Sequence, residues 1–487
     1  MGSTDGTGFD AVVGNPPFSG GQKITGNLGT DYREYLINRL GGGTRGSADL
    51  CAYFLLRNLA LAPRRRAGII ATNTIAQGKT REVGLDQATA AGWTVYRATK
   101  SQRWPGTANL EVALLWMGGL MGEDEQPVLD GAEVRGITPG LDPQSRVSGK
   151  PYRLAANAGQ SFIGSYVLGK GFVLQPEVAQ ALIEKDPRNR DVLFPYLNGE
   201  DLNSRADCSA SRWVINFHGW SEEKAATYED VFAIAERDVK PARASNKRPA
   251  HRDRWWQYAE RAPKLYEAIA DLERVIAVGQ TSSTQMPALV KNQSVFDQKL
   301  VVFPTDSYAH LALLSSEIHY WWTVKQGSTR TADLVHTPST CCETLPMPAL
   351  NDNLNSLGSE LAACRSKLAM ALTPMSQMLH SRDASHPALK ALRDTHVRLE
   401  REVVDAYGWT DLDLRHGFHT TPRGPRFTIA PAVQTKILDR LLELNHARYG
   451  KEQAAGLHVP GAKKKAALKR APKTEPKPED GIQDGIF

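Results

Sequence analysis

Cysteine is scarce in this sequence: Cys51, Cys208, Cys341, Cys342 and Cys364 make an odd number, with no C-x-x-C spacing. That pattern argues against a disulfide framework and against a four-ligand zinc site, and it fits a reducing compartment. Long apolar runs are missing too. None approaches the roughly 20 residues a membrane helix needs, and Met1 to Gly8 is polar and glycine-rich, unlike a secretory signal. A soluble, cytoplasmic protein is the expectation. Charge of one sign is not dominant either: a net +6 over 487 residues favours anionic partners without identifying one.

What is present is enough apolar material, 41% of the chain, for two to three cores at about 150 residues per domain. From Phe9 to about Gly122, short β-type runs alternate with helical ones. FDAVVG reads as a buried strand, Asp49 to Ala62 as an apolar-faced helix, and AGIIAT (Ala67 to Thr72), WTVYRAT (Trp93 to Thr99) and LEVALLWM (Leu110 to Met117) as further strands. This spacing predicts an α/β unit with a mainly parallel sheet. Its four strands fall short of the six or seven usual in a doubly wound domain, so an incomplete sheet is expected.

The turn-rich stretch 123–150 reads as a linker. A mixed α+β region follows at 151–348 and holds six of the ten tryptophans. Residues 349–459 read as helical, with breaks expected at Thr373-Pro374 and His386-Pro387. The Lys- and Pro-rich segment 460–487 reads as a disordered basic tail.

Asn15-Pro16-Pro17-Phe18 follows the first strand directly. It therefore falls at a carboxyl edge, where open α/β sheets bind ligands. Two prolines fix φ and remove backbone donors, so the Asn amide and the aromatic ring are presented in one orientation. An amide oxygen that accepts from an exocyclic amine, beside a ring that stacks on a flat heterocycle, suits a flipped-out adenine.

With this motif, and with GIIATNTIAQGKTREVGL, WPGTANLEVALLWM, FPYLNGEDLNS and RWWQYAERAPKLYEAI, the chain resembles the adenine-N6 DNA methyltransferases. The likeness is to the large methylase subunits of type IIG restriction-modification and DISARM-like phage defence, over roughly Phe9 to Gly450. The resemblance implies an incomplete class I, Rossmann-like methyltransferase sheet over 1–122, a DNA target-recognition domain over 151–348 and a helical C-terminal region. It implies that Asn15 and Pro16 accept from the target amine, that Pro17 and Phe18 complete the catalytic turn with Phe18 stacking on the base, and that Trp104-Pro105 lines the other wall.

The implied methyl donor is S-adenosylmethionine. The family's glycine-rich cofactor loop lies upstream of the Asn-Pro-Pro-Phe motif, and no counterpart is identified in the sequence, so the expectation is the C-terminal portion of a larger methylase, whether by gene splitting, a misassigned start or truncation, with an upstream-encoded methylase half or defence-system subunits as the partners it would have. Double-stranded DNA is the implied substrate.

Between Arg237 and Lys264, nine Lys/Arg face three acidic residues, with Trp255, Trp256 and Tyr258 interleaved. Such a mixture either grips nucleic acid, cations on phosphates and rings on bases or sugars, or makes a solvated helix face with a tryptophan anchor. The resemblance selects the first, with Arg243, Lys247, Arg248, Arg252, Arg254, Trp255 and Trp256 as DNA contacts. Cys341-Cys342 reads as buried packing and His416 to His419 as a loop, and no metal site is expected. Two other functions stay open at this point: a DNA-recognition subunit without catalysis, and part of a fused enzyme that both cuts and methylates. Glu222-Glu223-Lys224 lacks the acidic partner a nuclease would need.

Overall fold

The β-branched and small residues of the first apolar runs form a six-stranded sheet in the computed structural model, which describes residues 9–62, 66–105, 107, 110–119, 126–144, 147, 149–330 and 333–458. The strands are β1 (Ala11–Gly14), β2 (Arg66–Thr72), β3 (Thr94–Arg103), β4 (Glu111–Gly118), β5 (Val128–Leu129) and β6 (Ala132–Glu133), in the spatial order β1-β2-β4-β3-β5-β6. The basic tail and the glycine-rich stretch before Phe9 lie outside the described residues.

Two expectations are corrected here. The sheet is mixed, not mainly parallel: β1 and β2 are parallel, but β4 runs antiparallel to both β2 and β3. The cause is the short connection between β3 and β4, which permits a hairpin and is too brief for a crossover. The turn-rich stretch read as a linker also contributes β5 and β6, which extend the sheet beside β3.

Along β2 buried and half-buried residues alternate, so one face is covered. The helix α1 (Leu50–Leu61) supplies the cover with Cys51, Ala52, Leu55 and Leu59, packed with Ile69, Ala71 and Leu115. Its N-terminus is capped by Asp49, whose carboxylate accepts from the Cys51 amide at 3.1 Å. β1 is different: Val13 remains 85% exposed and Phe9 62%.

The mixed region builds two four-stranded sheets and a three-stranded one. The helical region is not a separate body. Its leucines, among them Leu354, Leu361, Leu392 and Leu399, enter the same core as Leu300, Val302 and Trp322. Gly358 makes the approach possible, because a Cβ there would lie 1.9 Å from the Tyr308 carbonyl oxygen.

The helices are Asp352–Leu368, Leu372–His380, Pro387–Ala406 and Pro431–Ala454. The break expected at Thr373 falls instead at Ala369, in the left-handed region at φ 46°. Pro374 sits in the first turn of its helix, where the missing N–H costs nothing. Buried Asn445 ties three segments together: its oxygen accepts from the Tyr152 amide at 2.8 Å, and its amide donates to Tyr152 O at 2.8 Å and Thr344 O at 2.7 Å.

This core carries several uncharged histidines. Burial lowers His319 to about 4 and His396 to about 3. His319 bonds the Leu314 carbonyl at 2.8 Å and the His336 ring at 3.2 Å. Because the folded pKa lies below the unfolded value near 6.5, the unfolded chain binds more protons; this stability is complete above about pH 6.5 and declines as pH falls toward 4. At about pH 5 His319 alone costs about 2 kcal/mol. Urea unfolding at pH 7 and pH 5 should show a clear fall in midpoint at the lower pH, and an unchanged midpoint would contradict this account.

Candidate functional site

Four chain segments meet at one edge of the six-stranded sheet. β1 and β2 end there in parallel, Thr72 pairs with Val112 at the start of β4, and Arg103 at the end of β3 pairs with Glu111. The edge therefore carries Asn15 to Phe18, the turn Thr72 to Gln77, the β3–β4 tip and Glu111.

In the Asn15-Pro16-Pro17-Phe18 turn, Asn15 and Pro17 are exposed, Pro16 is buried and Phe18 is half-buried. The turn is held against α1, since the Leu50 amide donates to Ser19 O at 3.0 Å. Gly21 is required by packing: a Cβ there would stand 2.2 Å from the Ser47 carbonyl carbon and 2.4 Å from Ala48 O. The next helix, Gly21–Leu28, can thus start directly beyond the turn without covering it.

Phe18 and Trp104, 86 residues apart in sequence, meet edge to face, with ring centroids 6.0 Å apart and planes at 87°. Trp104 is placed by the hairpin: its amide donates to Leu110 O at 2.9 Å, and a register shift between Thr99 and Gln102 bends β3 as it enters the tip. Pro105 beside it is exposed. The edge-to-face geometry leaves one face of one ring unpaired by the other, an arrangement suited to receiving a further flat ring.

A polar cluster on this edge was not anticipated from sequence. Asn73 donates to Ser101 Oγ and Glu111 Oε2, both at 3.2 Å, and Ser101 donates to the same Glu111 oxygen. Thr72 and Thr74 hydroxyls bond each other at 2.7 Å. The signal was available, because Asn73 follows β2 as Asn15 follows β1, and the edge argument applies equally to both.

The proposed DNA contacts divide. Arg243 is corrected: it is 2% exposed, and its guanidinium donates to the carbonyls of Val167, Leu168 and Gln257 at 2.6–3.0 Å. Burial pushes its pKa down to about 10, and its donors are committed inside the protein. Trp255 and Trp256 are corrected likewise. Both are buried in a cluster with Phe217 and Val231. Their indole N–H groups donate to Glu222 Oε1 at 3.1 Å and to Trp220 O at 2.9 Å, which also gives Glu222 a structural role.

Lys247, Arg248, Arg252 and Arg254 are exposed. Arg254 borders a polar hollow of about 330 Å³ with His251, Gln257, Glu260 and Arg261. Among the described residues no group of three His, Cys, Asp or Glu is arranged to hold a metal ion, and no helix is long and apolar enough to cross a membrane. Cys341 and Cys342 are buried, and burial pushes both thiols up.

Comparisons with known proteins match two separate segments of the chain. Residues 3–87 match the family described as Eco57I restriction-modification methylase, and residues 154–349 match the one described as MmeI, target recognition domain. The fold is similar to that of the type IIL restriction-modification enzyme MmeI, solved in complex with DNA: TM-score 0.71 at 15% identity, covering 90% of this chain and 57% of that one. The chain thus spans a little over half the length of that enzyme. More distant are the type IIG restriction endonuclease BpuSI, TM-score 0.29 at 12% identity over 83% of this chain and 55% of that one, and a DrdV–DNA complex, 0.33 at 11% over 73% and 44%. No curated protein sequence matches.

The corrected assignments separate by experiment. Arg243→Ala leaves three buried carbonyls without a donor and should lower unfolding stability by about 1–3 kcal/mol. Alanine at Lys247, Arg248, Arg252 and Arg254 together should leave unfolding unchanged but weaken DNA binding, lowering the slope of log K against log salt by about 1 for each phosphate no longer neutralised. An unaltered slope would remove these four from the interface.

Proposed function

We propose, for a chain that joins a restriction-modification methylase segment of the Eco57I type to a target recognition domain of the MmeI type, that it methylates the N6 amine of an adenine extruded from double-stranded DNA, as part of a restriction-modification or phage-defence system. The observation that carries this reading is the meeting of Phe18 with Trp104 beside Asn15 at the strand edge.

The chain's residues account for holding the base. The Asn15 amide oxygen and the Pro16 carbonyl accept the two protons of the exocyclic amine, which turns the nitrogen lone pair out of the ring plane. Phe18 stacks on the base and Trp104-Pro105 closes the opposite side. The cost of extrusion, a few kcal/mol, is offset by this stacking together with the grip of the recognition domain on the backbone. No strong base is needed, because the amine gives up its proton once the fourth bond to nitrogen has formed.

The methyl donor, S-adenosylmethionine, supplies the electrophile when bound. Among the described residues we identify no glycine-rich turn after a strand that would cradle it, so no residue of this chain is assigned to its binding. The exposure of Val13 on β1 and of Phe9 just before it supports the further proposal that the six-stranded sheet is part of a class I methyltransferase sheet, continued beyond β1 by a parallel strand from a cofactor-binding segment. An open strand edge with an exposed apolar face is a pairing surface.

The test is transfer of a labelled methyl group from S-adenosylmethionine to unmethylated plasmid DNA, with cofactor binding followed by calorimetry, for the chain alone and with a candidate cofactor-binding segment. Transfer is expected with the segment, and Asn15→Ala should lower kcat by about 100-fold or more while DNA affinity is retained. Full activity of Asn15→Ala would overturn the assignment. DNA binding without transfer in every combination would favour a noncatalytic recognition subunit.

A further inference from the structure

Two polar ties join the target edge of the six-stranded sheet directly to the recognition domain. Gln77 ends the turn that follows β2, four residues after Asn73. Its side-chain amide makes a multi-point contact with Thr329: Gln77 Nε2 donates to Thr329 Oγ1 at 3.1 Å, while Gln77 Oε1 accepts from the Thr329 amide at 3.0 Å and from its hydroxyl at 3.2 Å. The second tie is a charge bridge. Asp142 accepts from Lys100 through Oδ1 and from Lys325 through Oδ2.

Both ends of each tie are rigidly mounted. Lys100 lies on β3 four residues before Trp104, so it is fixed to the strand that carries one wall of the candidate base pocket. Lys325 belongs to the helix Glu317–Gln326, whose Trp321 and Trp322 are buried in the main core. Thr329 belongs to the strand Ser328–Arg330, which follows that helix directly and pairs with Asp333–Val335. The Asp142 carboxyl is raised by burial, yet the two ammonium groups outweigh this and hold it down to about 2. The Asp142 carboxylate is therefore ionised throughout the neutral range.

We propose that Gln77 and Asp142 are positioning residues, which fix the recognition domain against the target edge so that a base extruded from the gripped duplex arrives at the pocket formed by Asn15, Phe18 and Trp104. This rests on the methyltransferase reading above. A pocket and a DNA grip on separate domains act together only if their offset is fixed, and a misplacement of about 1 Å is enough to cost about 100-fold in rate. Neither residue touches the base; each acts through the element it holds.

The experiment uses Gln77→Leu and Asp142→Asn in the full chain, assayed together with the candidate cofactor-binding segment, with Asp142→Glu as the conservative variant. In the methyl-transfer assay on plasmid DNA, kcat should fall by about 10-fold or more in each, with KM for DNA changed by less than about 3-fold, and Asp142→Glu should recover part of the loss. Wild-type kcat in both variants, or a loss confined to KM, would overturn the proposal.

Hydrogen exchange on the chain bound to the same DNA supplies a readout that does not depend on activity. Either variant should speed exchange both in 73–77 and in 328–330, with the recognition-domain core at 275–278 unchanged. Unchanged exchange in both segments would sink the proposal even if the wild type proved inactive. If exchange rises as expected but neither the wild type nor Asn15→Ala transfers methyl groups, the clamp stands and the methyltransferase reading fails.

Discussion

β4 runs antiparallel between β2 and β3, and the whole candidate site depends on that insertion. β2 and β3 are parallel to each other across β4, so Trp104 follows the end of β3 at the same edge, and the tight return into β4 holds it there through its amide bond to Leu110 O. The chain turns back at the edge where β1 delivers Asn15 and Phe18, and the two rings come within 6.0 Å. The same reversal brings Glu111 opposite Arg103, which lets Asn73, Ser101 and Glu111 close a polar cluster beside the aromatic pair.

Much of this was legible because the informative residues are local. A β-branched run followed by Asn-Pro-Pro-Phe locates both a strand and its edge, and the later runs that became β2, β3 and β4 stand out for the same reason. Strand direction was not legible, since it depends on whether a connection is long enough to cross over, and the pattern of residues within a strand does not record it. The edge cluster had one local signal, an asparagine directly after β2, but its meeting with Ser101 and Glu111 depends on the pairing of β4 with both β2 and β3. Thr373-Pro374 shows the reverse failure: a strong local signal for a helix break was absorbed into a first turn, and the chain broke at an alanine with no such signal.

The basic segment after Arg237 shows why charge alone misleads. Nine cations and three aromatic residues fit a DNA surface and a buried anchor equally well on composition. In the structure the ring of Phe172 lies under Arg243, 5.3 Å from its guanidinium carbon, while backbone carbonyls take its donors. Such a cation stabilises the domain only because every donor is satisfied; removing it leaves the acceptors stranded. The two tryptophans serve the same interior. What remains exposed is Lys247, Arg248, Arg252 and Arg254, the last bordering the 330 Å³ hollow, so the domain separates cations that build its interior from cations left at its surface.

β1 is the counterpart of that separation within the sheet. Its inner neighbour β2 is covered on one face by α1, yet Val13 beside it is 85% exposed. An isolated four-residue strand with an outward valine gains little from burial, at about 25 cal/mol per Å² of apolar surface covered; what holds it is the parallel ladder to β2 and the bonds from Phe9 to Leu61 and from Leu50 to Ser19. The turn that carries Asn15 is thus anchored toward α1 through Ser19 and toward the β3–β4 hairpin through Phe18. A strand paired to the open edge of β1 would fix it from a third side and bring whatever that strand carries next to Asn15. Stability and chemistry would then be completed by the same contact, because the edge with no pairing strand among the described residues belongs to the strand that presents the amide oxygen.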